Sequence, residues 1–157
     1  MAVGRDFVDT FISLYREIHE QLRQEVAGAD PPLLTRELAP GTNSISTLVI
    51  HVLGSEGDVV RVVRGLASDR DRTAEFTMRI ADPDELLHRI DAADRLLMEI
   101  GPGITDEDLT TLRTRPNAIR HSEPRPGLFL LLASYGHARE HLAHLELTKQ
   151  LAQTGRE

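Results

Sequence analysis

Apolar side chains return every three or four residues along four stretches of the chain, and each stretch predicts a helix. Phe7, Phe11, Leu14, Ile18, Leu22 and Val26 carry the first, from roughly Asp6 to Val26, and Gly28 with the Pro31 and Pro32 pair ends it. Ile45, Leu48, Val52, Ser55, Val59, Val62, Val63 and Leu66 carry the second, after Thr42, Asn43 and Ser44, any of which can cap. Its valines favour strands, yet the period is nearer 3.6 than 2 over a long segment, so the helix reading wins. The third, "DPDELLHRIDAADRLLMEIG", has Asp82 as cap, Pro83 at the first helical position, acidic residues in the first turn and Gly101 beyond the last. The fourth runs from about Gly127 to Gln153.

The connections are uneven. Asp69 to Ile80 is charged and irregular, with some extended character expected at "FTMRI", and the stretch from Gly101 to Gly127 carries four prolines. Four long helices with no clear strand between them predict an all-α four-helix bundle, one domain over residues 1–157.

Composition narrows the function classes. Hydrophobic residues at 40% and charged residues at 27% describe a chain that folds around a core. Aromatic residues at 4%, no Trp and a net charge of -7 argue against a nucleic-acid partner, which needs stacking surfaces or a basic face. There is no cysteine, so any metal must be held by His and carboxylates. The start, "MAVGRDFVDTFISLYREIHEQL", lacks the apolar core of a signal peptide and no apolar run approaches membrane-spanning length, so a cytoplasmic protein without a membrane partner is expected.

The fourth helix contains "YGHAREHLAHLEL", which places His137, His141 and His144 three and four residues apart on one face. The apolar stripe of Leu131, Tyr135, Ala138, Leu142 and Leu145 lies roughly 100° around, so the histidines flank the core, where a site between bundle helices is built. An HxxxH pair lets two imidazoles reach one ion at about 2.0–2.1 Å. A third ligand must come from elsewhere. His51, between Leu48 and Val52 on the apolar side of the second helix, is either that ligand or a satisfied core histidine. His19, His88 and His121 are expected to face solvent. Glu56 lies too far around the helix from His51 to share its ion; it is either a group orienting a ligand or water, or an interhelical carboxylate, and Asp58 is a weaker candidate.

The segment "NSISTLVIHVLGSE", a long gap and "GHAREHLAHLELTKQL" together resemble the DinB/YfiT-like superfamily of four-helix-bundle metalloenzymes, in order and spacing over nearly the whole chain. The resemblance implies a divalent metal, often zinc or nickel, on three histidines, which by position are His51, His137 and His141. Many relatives carry a Gly-Gln pair after the last His, where this chain has Ala143 and His144, leaving His144 as either a neighbour of the site or an alternative ligand. The family also includes S-transferases that use bacillithiol or mycothiol, and relatives of maleylpyruvate isomerase. A homodimer is implied by the resemblance alone.

Three imidazoles leave an ion at least one open position, where a bound water would become a nucleophile or a thiol would be deprotonated. With no cysteine in the chain, the thiol would be a low-molecular-weight one supplied from outside. The expectation is a metal-dependent thiol S-transferase acting on a small-molecule substrate. A hydrolase on the same site, with Glu56 or His144 as base, and a non-catalytic stress-related binding protein are the alternatives.

Overall fold

The computed structural model describes residues 2–154. Helix α1 spans Ala2–Ala27, α3 spans Ile45–Val63, α5 spans Pro83–Ile100 and α7 spans Gly127–Thr154, the four long helices that the periodicity predicts. Local chemistry sets their starts. Ser44 Oγ accepts a hydrogen bond from the Thr47 amide to open α3, and the Asp82 carboxylate accepts from the Asp84 amide to open α5.

Shorter elements fill the connections. A one-turn helix α2 (Pro31–Leu34) follows α1, a 3₁₀ turn at Gly101–Gly103 extends α5, and α6 (Asp106–Thr110) carries a reciprocal cap between Thr105 and Asp108. Strands β1 (Leu112–Arg113) and β2 (Arg125–Pro126) form a two-residue antiparallel ladder.

Three expectations need correction. The stretch from Asp69 to Ile80 is not irregular: α4 (Arg72–Thr77) lies within it, opened by Asp71, whose side chain accepts from the Ala74 amide. Phe76 and Thr77 of "FTMRI" are helical, and extended backbone begins only at Met78. The second long helix stops at Val63, because Gly65 adopts a left-handed φ of +71° and turns the chain away, which leaves Leu66 outside the helix and exposed.

α3 is the centre of the bundle. It packs against α7, α5 and α4, while α1 packs against α5 and α7. Ile18 and Leu22 of α1, Val49 and Val59 of α3, Leu86 and Ile90 of α5, and Leu131 and Leu145 of α7 are all essentially inaccessible and meet in one hydrophobic cluster. Each of these side chains contributes about 1.5–3 kcal/mol through burial. Gly127 fits α7 beneath α6 because a Cβ there would come 2.2 Å from the Asp108 carbonyl oxygen. Among the described residues no helix is long and apolar enough to cross a membrane.

Candidate metal centre

His137 and His141 stand one turn apart on α7, and the α3–α7 contact brings His51 against them. His137 Nε2 lies 3.1 Å from His51 Nε2 and 3.0 Å from His141 Nε2. The ring nitrogens of His51 and His141 thus gather about His137 Nε2, with one potential ligand atom of each residue within 4.8 Å of the others. The His51 ring is fixed from behind, where its Nδ1–H donates to Glu75 Oε2 at 2.7 Å. Glu75 is in turn gripped by Arg70, which donates through Nε at 2.6 Å and Nη2 at 2.8 Å. Burial pushes the Glu75 carboxyl up, but the hydrogen bonds from Arg70 and His51 outweigh it and hold the group below the usual carboxylate range. A charged Glu75 keeps the proton on His51 Nδ1 and leaves its Nε2 lone pair facing the centre.

This donor set fits a divalent transition cation. Burial first, and then the neighbouring imidazoles, push His137 down to about 3 and His141 down to about 4, so both rings are neutral at neutral pH. One proton on His137 Nε2 can point squarely at only one of its two nitrogen neighbours. Among the described residues the buried Nδ1 atoms of His137 and His141 have no hydrogen-bond partner, so the polar contacts of these rings are at the centre. The 3.0 and 3.1 Å separations are near the edge of about 3.3 Å that a tetrahedron with bonds of about 2.0–2.1 Å would have. His51, His137 and His141 thus form a group that could hold a metal ion.

The family model of the DinB superfamily matches residues 14–145, a stretch that includes all three histidines. The chain belongs to the DinB superfamily. A DinB-like protein from Bacillus cereus ATCC 10987, known from a crystal structure, has the same fold, with a TM-score of 0.74, 15% identity and 92% of each chain covered. No curated protein matches the chain.

The other candidates fall elsewhere. His144 is exposed, its ring 5.7 Å from that of His141, and it lies outside the group of three. His88 and His121 are exposed, as expected. His19 is not: it is completely buried, with Nε2 2.7 Å from Glu56 Oε2 and Nδ1 3.1 Å from Asp94 Oδ1. Glu56 is the interhelical carboxylate of the two readings, buried against α1 rather than bonded to the histidine centre.

One imidazole between two carboxylates makes a proton-sharing unit. Burial opposes charge on His19, but Glu56 and Asp94 outweigh it and raise its pKa, while burial raises Glu56 at the closed end of the unit. Asp58 is also buried, accepting from Arg115 Nε at 2.9 Å and from Ser68 Oγ at 2.6 Å. Sequence reasoning missed Glu75 and Arg70. The signal was there in "DRTAEF", where Asp71 stands three residues before Ala74 as a cap, but a six-residue helix has little periodicity to read.

Proposed function

We propose that the chain is a metal-dependent enzyme in which His51, His137 and His141 hold a divalent transition cation, zinc or nickel, and promote transfer of a low-molecular-weight thiol to an electrophile. The observation that supports this most is the gathering of the His51 and His141 ring nitrogens about His137 Nε2, with His51 oriented by Glu75. Imidazole donors suit zinc and nickel. Held there, such a cation would act as a Lewis acid with an exchangeable position, lowering the pKa of a thiol or water placed on it.

The chain's own residues favour the thiol over water. Hydrolysis needs a general base within hydrogen-bond reach of the attacking water. Glu75 is occupied by Arg70 and His51, Glu56 by His19 and Asp58 by Arg115. His144, exposed beside His141, is the remaining candidate for a hydrolase. A thiol acidified on a cation needs no such base. Phe76, whose ring centroid is 4.7 Å from that of His51, supplies an apolar side against which a substrate can rest. The overall reaction forms one carbon–sulfur bond and breaks the bond to a leaving group, which departs with its electron pair, and the thiol proton is released to solvent.

The test is turnover of protein loaded with zinc or nickel, using bacillithiol, mycothiol or glutathione with a generic electrophile such as 1-chloro-2,4-dinitrobenzene. The expected result is a rate above the metal-free control with one of the three thiols. No such rate with any of them overturns the transferase reading, and leaves the hydrolase and the non-catalytic binding protein. A second copy of the chain is the expected macromolecular partner. Leu128, Leu132, Leu147 and Leu151, all exposed on α7, support a homodimer, which light scattering in solution tests.

A further inference from the structure

A concave site lies behind the histidine centre, on the far side of Glu75. Between α3, α4, α5 and the chain before α4 runs an open cleft of about 510 Å³, within the size range of small-molecule sites. Its floor includes Gly54 and Gly57 of α3, and its facing wall is Ala93 and Leu96 of α5. α3 and α5 pack directly against each other, and α4, seated on α3, borders the cleft that remains beside that contact. The Glu75 carboxylate lies directly over Gly54, where a Cβ would come 2.1 Å from Oε1. Glycine inside a helix costs about 1 kcal/mol relative to alanine, and in the middle of α3 it admits close neighbours, the Glu75 carboxylate at Gly54 and Arg61 with Leu96 at Gly57.

The charges around the cleft are unequally satisfied. Of its carboxylates, Asp58 is bonded to Arg115 and Ser68, Asp71 caps α4, and Glu75 is held by Arg70. Asp69 makes no ion pair among the described residues, but it is exposed to solvent at the rim. Arg61 is half-buried, lies against Gly57 with Nη1 3.3 Å from where a Cβ would stand, and has no carboxylate partner among the described residues. Arg89, across the mouth, is paired among the described residues only with the exposed Glu85 of its own helix, an ion pair of little strength. The half-buried charge left over is a guanidinium, a group shaped to take a carboxylate or phosphate through two parallel hydrogen bonds.

We propose that this cleft is a second ligand site, for a small organic anion with an apolar body, held by Arg61 at its acidic end and by Gly57, Ala93 and Leu96 along its length. Glu75 is common to both sites, with Oε1 over the cleft floor at Gly54 and Oε2 on His51. Occupancy of the cleft therefore changes metal affinity at the histidine centre, and metal changes ligand affinity by the same factor. This coupling rests on the metal reading above, whereas the site itself does not.

The experiment titrates the metal-free, full-length protein with sodium octanoate and separately with 1-octanol, following amide resonances by nuclear magnetic resonance. Saturable shifts of Gly54, Gly57 and Ala93 with octanoate are expected, with octanol several-fold weaker. Arg61→Gln should cut octanoate affinity about tenfold and leave octanol unchanged, and Ala93→Phe, checked for folding by circular dichroism, should abolish both. No saturable shift at these residues, or binding that survives Ala93→Phe in a folded protein, overturns the site. Equal affinity for octanol and octanoate overturns the anionic class. Zinc affinity should differ at least threefold with and without saturating octanoate, and an unchanged value overturns the coupling. A protein that takes up no zinc removes the coupling together with the metal reading, and leaves the octanoate result to decide the site.

Discussion

Glu75 of α4 accepts a hydrogen bond from His51 of α3 at 2.7 Å, and so a carboxylate from a six-residue helix fixes which nitrogen of a core histidine faces the centre. Arg70, five residues before it, holds that carboxylate in its charged form. The histidine centre is thus built from a connection as well as from the bundle.

Glu75→Gln keeps the side-chain volume and removes the charge that holds the His51 tautomer. Partners of this kind behind a metal-binding histidine are worth about 10–100-fold in affinity. Zinc affinity, measured by competition with a chromogenic chelator, should fall within that range while the helical circular dichroism is retained. Unchanged affinity would mean that Glu75 serves the fold alone.

Gly54→Ala changes no ligand and no charge. Alanine is the better helix former by about 1 kcal/mol, which on propensity alone predicts a more stable protein. Its methyl, however, would meet Glu75 Oε1 at 2.1 Å and push the carboxylate off His51. The expected outcome is a lower melting temperature and several-fold weaker zinc binding. A higher melting temperature with full zinc affinity would show that α4 gives way freely.

Acid should destabilise the metal-free protein well above the carboxylate range. His137 and His141 titrate at about 3 and about 4 when folded, against 6.5 for an unperturbed imidazole. Between those values the unfolded chain binds more protons, so stability falls as the pH drops from about 6.5 toward 4. Glu75, Asp94 and Asp108, all held low, add stability above their unfolded pKa that is lost as the pH falls through their folded values. His19, held high, acts in the opposite sense: its contribution is fully present below pH 6.5 and is lost as the pH rises through its folded value. A melting temperature for the metal-free protein that is lower at pH 4.5 than at pH 6.5 is expected. One that is flat or higher at pH 4.5 contradicts the assignment of neutral rings.

The four long helices could be read in the chain because each buries a stripe at helical spacing, from Phe11, Ile18 and Leu22 on α1 to Leu131, Leu142 and Leu145 on α7. So could the HxxxH pair and its partner on α3. Glu75 could not, since what holds α4 in place is its packing on α3 rather than a pattern of its own. His19 looks solvent-facing in sequence because Glu17, Glu20 and Arg16 surround it. It stands four residues after Tyr15 and three before Leu22, which places it on the buried stripe, while the carboxylates that satisfy it come from α3 and α5 and leave no mark on α1.

That buried unit carries its own consequence. His19→Ala leaves Glu56, 2% exposed, without its partner, and removing one member of a buried pair costs about 3–5 kcal/mol. Chemical denaturation should report a loss of that size, with metal content per folded protein unaltered. A loss below about 1 kcal/mol would show that water satisfies Glu56 instead.

The most direct measurement is the metal content of the purified protein by elemental mass spectrometry, beside His51→Ala and His141→Ala, with all three then exposed to zinc, nickel, iron and manganese. About one equivalent of metal is expected in the unaltered protein and its loss from both variants, consistent with one ion on a shared set of donors. An unaltered protein that neither carries nor takes up any of these metals would contradict it, and would make the three converging imidazoles a packing feature of the α3–α7 contact.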